Sequence, residues 1–364
     1  MSRGNAAPIW EARPGCKGRS TGWPQAAEFP YDCDMSMTIG RRTFIGGAAA
    51  FGVSGTAAAQ SAQKVFAPLP PWPPRETLML WPTLPPGTPP GIAPSKEPVP
   101  LPPGTPQRWE KGIRHPYIGV FRPQRPDGRA VLVMPGGGYV FVSLINEGVN
   151  VARVLNPLGI TVFVLAYRLP GEGWFNRTDV PLQDAQRAMR LIRSNAAHYR
   201  IDPAKLGILG FSAGGHLGGT LSVGHADPVY RPRDTADSLS ARPAFSGLIY
   251  PVTQFASAGP NSRSGPNLFG GPPPAGAASA RFDVLTRASP AMPPLFIAHA
   301  MDDGTVPVSQ SIALIEAARR HKVPVEAHLL ERGGHGFGAL SLKPTNPGQK
   351  WLEWFATWTA THVK

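Results

Sequence analysis

From Tyr117 onward, apolar residues fall into short continuous runs separated by longer stretches with helical spacing. The runs are Tyr117–Phe121, Ala130–Met134, Ile160–Tyr167, Leu206–Leu209, Phe245–Tyr250 and Pro294–Ala298, and Val325–Leu330, broken by Glu326 and His328, reads as one further strand. Continuous apolar runs of this length predict strands buried on both faces. Thr77–Trp81 adds one more upstream. Between the runs, Val149–Leu155, Pro181–Tyr199, Ser309–Arg320 and Gln349–Thr361 predict helices. In the second of these, Ala185, Ala188, Met189 and Ile192 recur at the i, i+3, i+4, i+7 spacing of one buried face. Asp184, Arg187 and Arg190 fall off that stripe and are expected to be solvent-facing or paired. Trp351, Trp354 and Trp358 share a face of the last helix and are expected to cover the sheet. Strands alternating with helices predict a mostly parallel sheet with helices on both faces. Sites in such sheets form beyond the carboxyl ends of the strands.

The N-terminal part reads differently. Val65–Arg108 is rich in proline and predicts a largely extended lead-in, which makes residues 60–108 a segment of their own before a catalytic region over 109–364. Upstream, Gly40-Arg41-Arg42-Thr43-Phe44-Ile45 precedes a mild Gly/Ala/Phe/Val stretch and Ala57-Ala58-Ala59. This is the pattern of a twin-arginine signal over residues 35–59, with cleavage before Gln60. It implies the twin-arginine export machinery as a partner and a periplasmic or secreted destination. Met35 or Met37 as the true start would leave residues 1–34 as an over-extended reading frame. Cys16 and Cys33 both precede the signal, so the exported protein is expected to have no thiol.

The formal net charge is +13. Such a surface suits an acidic polysaccharide or an anionic envelope; a cationic exported protein with no specific anionic partner fits the number equally. No basic block with interleaved aromatics points to nucleic acid. No metal-ligand spacing appears, and no cofactor is expected.

Chemistry enters at Gly210-Phe211-Ser212-Ala213-Gly214, a G-x-S-x-G between an apolar run and a candidate helix. A serine there stands on a sharp strand-to-helix turn, and Gly210 and Gly214 avoid Cβ collisions with the neighbouring backbone. A serine nucleophile needs a base, an orienting acid and oxyanion donors. Pro135-Gly136-Gly137-Gly138-Tyr139 follows a strand, so the N–H of Gly137 or Gly138, with that of Ala213, is the candidate oxyanion hole. Asp303 is the candidate acid, with Asp302 as the alternative. His335, between glycines after the last strand, is the candidate base. His216 is expected to point along its helix rather than across the serine, and His299 to pack or hydrogen-bond near a strand end. Tyr139, Trp174 and the Ala256–Ala280 segment are candidate substrate contacts, an ordinary surface loop being the alternative for Trp174 and the segment.

These motifs, together with Leu80-Trp81-Pro82, Tyr167-Arg168-Leu169, Leu182-Gln183-Asp184-Ala185, Asp303-x-x-Val306-Pro307 and Gly334-His335-Gly336-Phe337-Gly338, resemble the α/β-hydrolase fold. More narrowly, residues 77–360 resemble the exported acetylxylan-esterase and BD-FAE-like carbohydrate esterases. The resemblance implies acyl transfer through Ser212, His335 and Asp303, with xylan-type acetyl esters as the substrate. A carboxylesterase or lipase acting on small molecules would use the same residues. A non-enzymatic glycan-binding protein is the alternative of a different class.

Overall fold

The computed structural model describes residues 70–93 and 109–363. The expected signal, both cysteines and part of the proline-rich lead-in lie outside the described residues. The strands are β1 (Thr77–Met79), β2 (Tyr117–Phe121), β3 (Ala130–Met134), β4 (Thr161–Ala166), β5 (Leu206–Phe211), β6 (Ser246–Ile249), β7 (Leu295–Ala300) and β8 (Val325–Leu330). They form one sheet in the order β1-β2-β4-β3-β5-β6-β7-β8. β1–β2 and β2–β4 pair antiparallel, and every later neighbour is parallel. The helices are α1 (Asn150–Leu155), α2 (Val180–Ser194), the single turn α3 (Ala196–Tyr199), α4 (Ser212–Gly224), α5 (Ser264–Phe269), α6 (Ala277–Ala280), α7 (Ser309–Arg320) and α8 (Trp351–His362). This is the α/β-hydrolase fold. Among the described residues no helix is long and apolar enough to cross a membrane.

Registry places the site. Met134 of β3 pairs with Gly210 of β5, so the chain after each strand leaves the sheet side by side. Ala300 of β7 pairs with Leu330 of β8, so the next two loops also start together. Strand side chains buried in the core, among them Phe163, Phe211 and Phe296, fix this registry. A one-residue slip would turn each to the opposite face. Trp351 and Trp358 of α8 are buried against the sheet, and Trp354 stacks on His328 with centroids 4.7 Å apart.

α4 lies unusually close to the sheet. It carries Gly214, Gly215, Gly218 and Gly219, and a Cβ at Gly215 would meet Pro251 at 2.9 Å.

Sheet and core cross the boundary expected at residue 109. Trp72, Leu80 and Trp81 of the lead-in are buried, and β1 extends the sheet. This lead-in also roofs the outer face of α2. Asp184 and Arg187, candidates for a solvent face, are therefore both buried and both paired. Arg168 Nε and Nη2 donate to Asp184 at 2.9 and 2.8 Å, and Trp81 Nε1 donates to the same carboxylate at 2.9 Å. Arg187 Nε donates to Leu80 O at 2.8 Å, and its Nη1 to Asp234 at 2.8 Å.

Candidate active site

β5 runs directly into α4, with Ser212 as the first helical residue. Ser212 has φ 52°, the left-handed region that costs a non-glycine residue free energy. The turn is tight enough that a Cβ at Gly214 would lie 2.1 Å from Met134 O, and one at Gly210 would lie 2.4 Å from Gly214 O. Only glycine fits at either position. Tyr139, at the end of the glycine loop, and Tyr250, just past β6, also have positive φ, 62° and 36°. Three strained residues in one neighbourhood mark where packing has been made to hold an unfavourable backbone.

The structure brings Ser212, His335 and Asp303 together. Ser212 Oγ lies 2.8 Å from His335 Nε2. His335 Nδ1 lies 2.7 Å from Asp303 Oδ2. A carboxylate only accepts, so Nδ1 carries the proton, and Nε2 is left to accept from the serine hydroxyl. Asp303 follows β7 and His335 follows β8, which is why adjacent strand ends place them in contact. Asp303 Oδ1 accepts from the N–H groups of Thr305 and Val306, both at 2.8 Å. Burial pushes the Asp303 carboxyl up. The hydrogen bonds from His299 and His335, the charge of His335 and the Val306 N–H outweigh burial and hold it well below the usual carboxylate range.

Asp302, the alternative acid, points elsewhere. Its Oδ1 accepts from the N–H groups of Gly333 and Gly334 at 2.8 Å each, fastening the start of the His335 loop. His299 touches Asp303 directly: its Nε2 lies 3.2 Å from Oδ2 and 3.0 Å from Val306 O, while its Nδ1 accepts from Ser311 at 2.8 Å. It thus shares the carboxylate oxygen Oδ2 with His335.

The glycine loop runs beside the elbow. The N–H groups of Gly137, Gly138 and Ala213 have no acceptor among the described residues. Asn267 Nδ2 donates to Gly138 O at 2.7 Å and holds the loop from outside. Gly136 N–H is occupied, donating to Glu147 at 2.6 Å.

The candidate substrate contacts divide. Tyr139 is buried, and its hydroxyl donates to His216 Nδ1 at 2.8 Å while His216 Nε2–H donates to Phe282 O at 2.8 Å. Its side chain therefore ties the glycine loop to α4 rather than standing free for a sugar. Burial lowers the His216 imidazole to about 4, against the opposing pull of the Phe282 carbonyl and Asp283. Trp174 is 4 % exposed, with the Arg168 guanidinium 4.8 Å from its ring centre, so neither ring face is open to stacking. The expectation of a sugar platform at Trp174 does not hold, because the loop folds its ring inward over the buried ion pair. The Ala256–Ala280 segment does reach the site. A cavity of about 490 Å³ is lined by Tyr139 and Val140 of the glycine loop, by Arg263, Pro266 and Asn267 of this segment, and by the charged side chains Lys111, Glu172 and Arg177. Lys111 and Arg263 have no ion-pair partner among the described residues. No three His, Cys, Asp or Glu side chains among the described residues cluster as a metal ion would require.

Glu147, Tyr250, Asn267 and His299 were not singled out as site residues from the sequence. Glu147 gave no motif, and only its position within the apolar run after the glycine loop hinted at burial.

The family model described as BD-FAE matches residues 120–318. Over 224 residues the chain is 34 % identical to an "Acetylxylan esterase" of Xylanibacter ruminicola, covering 60 % of this chain and 43 % of that one. Over 206 residues it is 35 % identical to "Endo-1,4-beta-xylanase B" of Butyrivibrio fibrisolvens, covering 57 % and 32 %. The chain thus spans less than half the length of these curated relatives. Among solved structures, the acetyl ester-xyloside bifunctional hydrolase of Caldicellulosiruptor lactoaceticus superposes with TM-score 0.63 at 28 % identity, covering 81 % of this chain and 98 % of that one.

Proposed function

The chain belongs to the BD-FAE family, and from that premise we propose that it is a carboxylic ester hydrolase working through an acyl-enzyme on Ser212. The observation that carries this reading is the unbroken line from Asp303 through His335 to Ser212, at 2.7 and 2.8 Å. In it, His335 Nε2 takes the hydroxyl proton as Oγ attacks the ester carbonyl. Asp303 holds the imidazole and stabilises its charged form. The N–H groups of Gly137 or Gly138 and of Ala213 receive the developing oxyanion, each such donor being worth ~10²–10³ in rate. The imidazolium then protonates the departing alcohol. A water, deprotonated by the same Nε2, releases the acid and restores the serine.

The finer reading is removal of acetyl groups from xylan-type carbohydrate. It is supported by what the Xylanibacter and Caldicellulosiruptor relatives are named for. Lys111, Arg177 and Arg263 outnumber Glu172 in the cavity lining, which is compatible with a polysaccharide that carries some carboxylates. The twin-arginine pattern over residues 35–59 supports export to the periplasm or beyond, which suits a polymer substrate. Cell fractionation with and without Arg41→Lys/Arg42→Lys tests it; an unchanged distribution would remove the export claim.

A second reading, a general carboxylesterase of small esters, is favoured by one observation: Trp174, the indole expected to meet a sugar, is buried. Acetate release from acetylated glucuronoxylan against p-nitrophenyl acetate separates the two. A kcat/KM for the polymer no higher than for the model ester would sink the carbohydrate reading. Absence of Ser212 labelling by an active-site phosphonate would sink both and leave the glycan-binding alternative.

A further inference from the structure

The segment between β3 and α1 carries a π turn, Ile145–Val149, with Glu147 at its centre. Single π turns insert one residue into a helix and are frequent at functional sites. Here the turn presents a carboxylate to the inside of the protein, where Glu147 is 4 % exposed. Among the described residues it forms no ion pair. Both of its hydrogen-bond partners are donors, and they come from opposite sides of the site. Gly136 N–H, in the glycine loop, donates to Oε2 at 2.6 Å. Tyr250 O–H donates to Oε1 at 2.7 Å, and the same phenol oxygen accepts from Gly338 N–H at 3.0 Å. Gly338 ends the loop that carries His335. The Tyr250 ring also packs on the imidazole, with centroids 5.0 Å apart. Next to Glu147, Asn146 Nδ2 donates to Gly336 O at 3.0 Å, and Ala339 N–H donates to Asn146 O at 3.2 Å. Two consecutive residues of one turn therefore hold the His335 loop just after the histidine, at Gly336, Gly338 and Ala339, and one of them also holds the glycine loop.

A buried acid costs free energy unless its oxygens are satisfied, and burial pushes the Glu147 carboxyl up from the ordinary range. A helix packed here by apolar contact alone would not need it. The geometry points to Glu147 as a positioning residue that, through Tyr250, sets the glycine loop and the His335 loop in one fixed relation, so that oxyanion donors and base are aligned together. The inference rests on the serine hydrolase reading. It assigns Glu147 and Tyr250 no contact with substrate. Their effect is on alignment, and misplacement by about 1 Å is enough to cost on the order of 10²-fold in rate.

The chemistry suggests the variants. Glutamine keeps one carbonyl acceptor for Gly136 N–H but can meet Tyr250 Oη only by reversing that bond and without charge, so Glu147→Gln weakens the link to Tyr250. Tyr250→Phe keeps the ring against His335 and cuts only the link from Glu147 to Gly338. With p-nitrophenyl acetate, kcat is expected to fall about 100-fold in Glu147→Gln and about 10-fold in Tyr250→Phe, as alignment losses do. KM should stay within about twofold in both, because no substrate contact is lost. The double variant should be no slower than Glu147→Gln alone, since the two act as one unit. Phosphonate labelling of Ser212 should slow in parallel. A purely structural role would lower the melting temperature and leave kcat per labelled site unchanged. A folded Glu147→Gln protein within threefold of wild-type kcat overturns the proposal. If that variant does not fold, Tyr250→Phe decides, and kcat within twofold of wild type overturns it. Ser212→Ala runs alongside: if it keeps the activity, the hydrolase reading has failed, which is a different result from wild-type kcat in the Glu147 and Tyr250 variants.

Discussion

Asp184 and Asp303 are both aspartates whose side chains are fully buried, and they do different work. Asp184 holds the guanidinium of Arg168, with Trp81 and the Arg168 N–H completing its shell. Asp303 holds two imidazoles and two backbone N–H groups. The number of contacts is similar; the partner's ability to exchange a proton is not. A guanidinium stays charged at any working pH, so the Asp184 pair is a fixed strut between β4, α2 and the lead-in. An imidazole can take a proton and return it, so the pair held by Asp303 can accept the Ser212 proton and later give it back. Burial alone therefore does not identify a catalytic acid; the identity of what it holds does.

The largest effect that would break this comparison is at the serine itself. Ser212→Ala should lower kcat by about 10⁶-fold, as triad removals do elsewhere, with the fold unchanged by circular dichroism. Retention of a tenth of the activity would remove the acyl-enzyme. Next, Asp303→Asn should cost about 10⁴-fold in kcat by favouring the wrong imidazole tautomer. An Asp302→Asn variant with an equal loss would show that the acid has been misassigned.

Asp184→Asn should act on the other axis. Leaving the Arg168 cation buried without its counter-charge should cost about 3–5 kcal/mol. Urea unfolding at constant pH measures that loss, while kcat of the folded fraction should stay within about threefold. A kcat loss like that of Asp303→Asn would mean that the two regions are coupled.

The smallest effect concerns the imidazole that cannot take a proton. His216 is buried as a neutral donor–acceptor between Tyr139 and Phe282, lowered from 6.5 to about 4. The unfolded chain binds its proton first as pH falls. Stability from this group is therefore fully present above about 6.5 and is lost as pH falls towards 4, by on the order of 3 kcal/mol. His216→Gln should flatten that part of the stability curve. If the wild-type and variant curves run parallel between pH 6.5 and 4, His216 is not held neutral as described.

Much of this was legible in the residues. Tyr117–Phe121, Ala130–Met134 and Val325–Leu330 are strands with the expected ends; the first two are unbroken apolar runs buried throughout, while the third, with Glu326 and His328, is only partly buried. β5 runs on through Phe211, since the strained serine itself starts the helix. The serine, the histidine and the glycine loop stand out because each needs glycine around it. What could not be read depends on contacts distant in sequence. Asp184 and Arg187 look like a polar helix face until the lead-in covers it. Trp174 looks like an exposed aromatic until Arg168 draws it inward. Glu147 sits in a π turn that no local pattern announces, and its partners lie 11 and 103 residues away.

The glycine-rich make-up of α4 has a further consequence. Each glycine costs a free helix about 1 kcal/mol relative to alanine, and 13 residues are too few to be stable alone in water. In a half-folded chain this segment would be coil, and the hydroxyl at its head would have no set direction. Reactivity at residue 212 should therefore switch on only once α4 has docked. An ester that acylates this residue would then count native molecules in a refolding mixture.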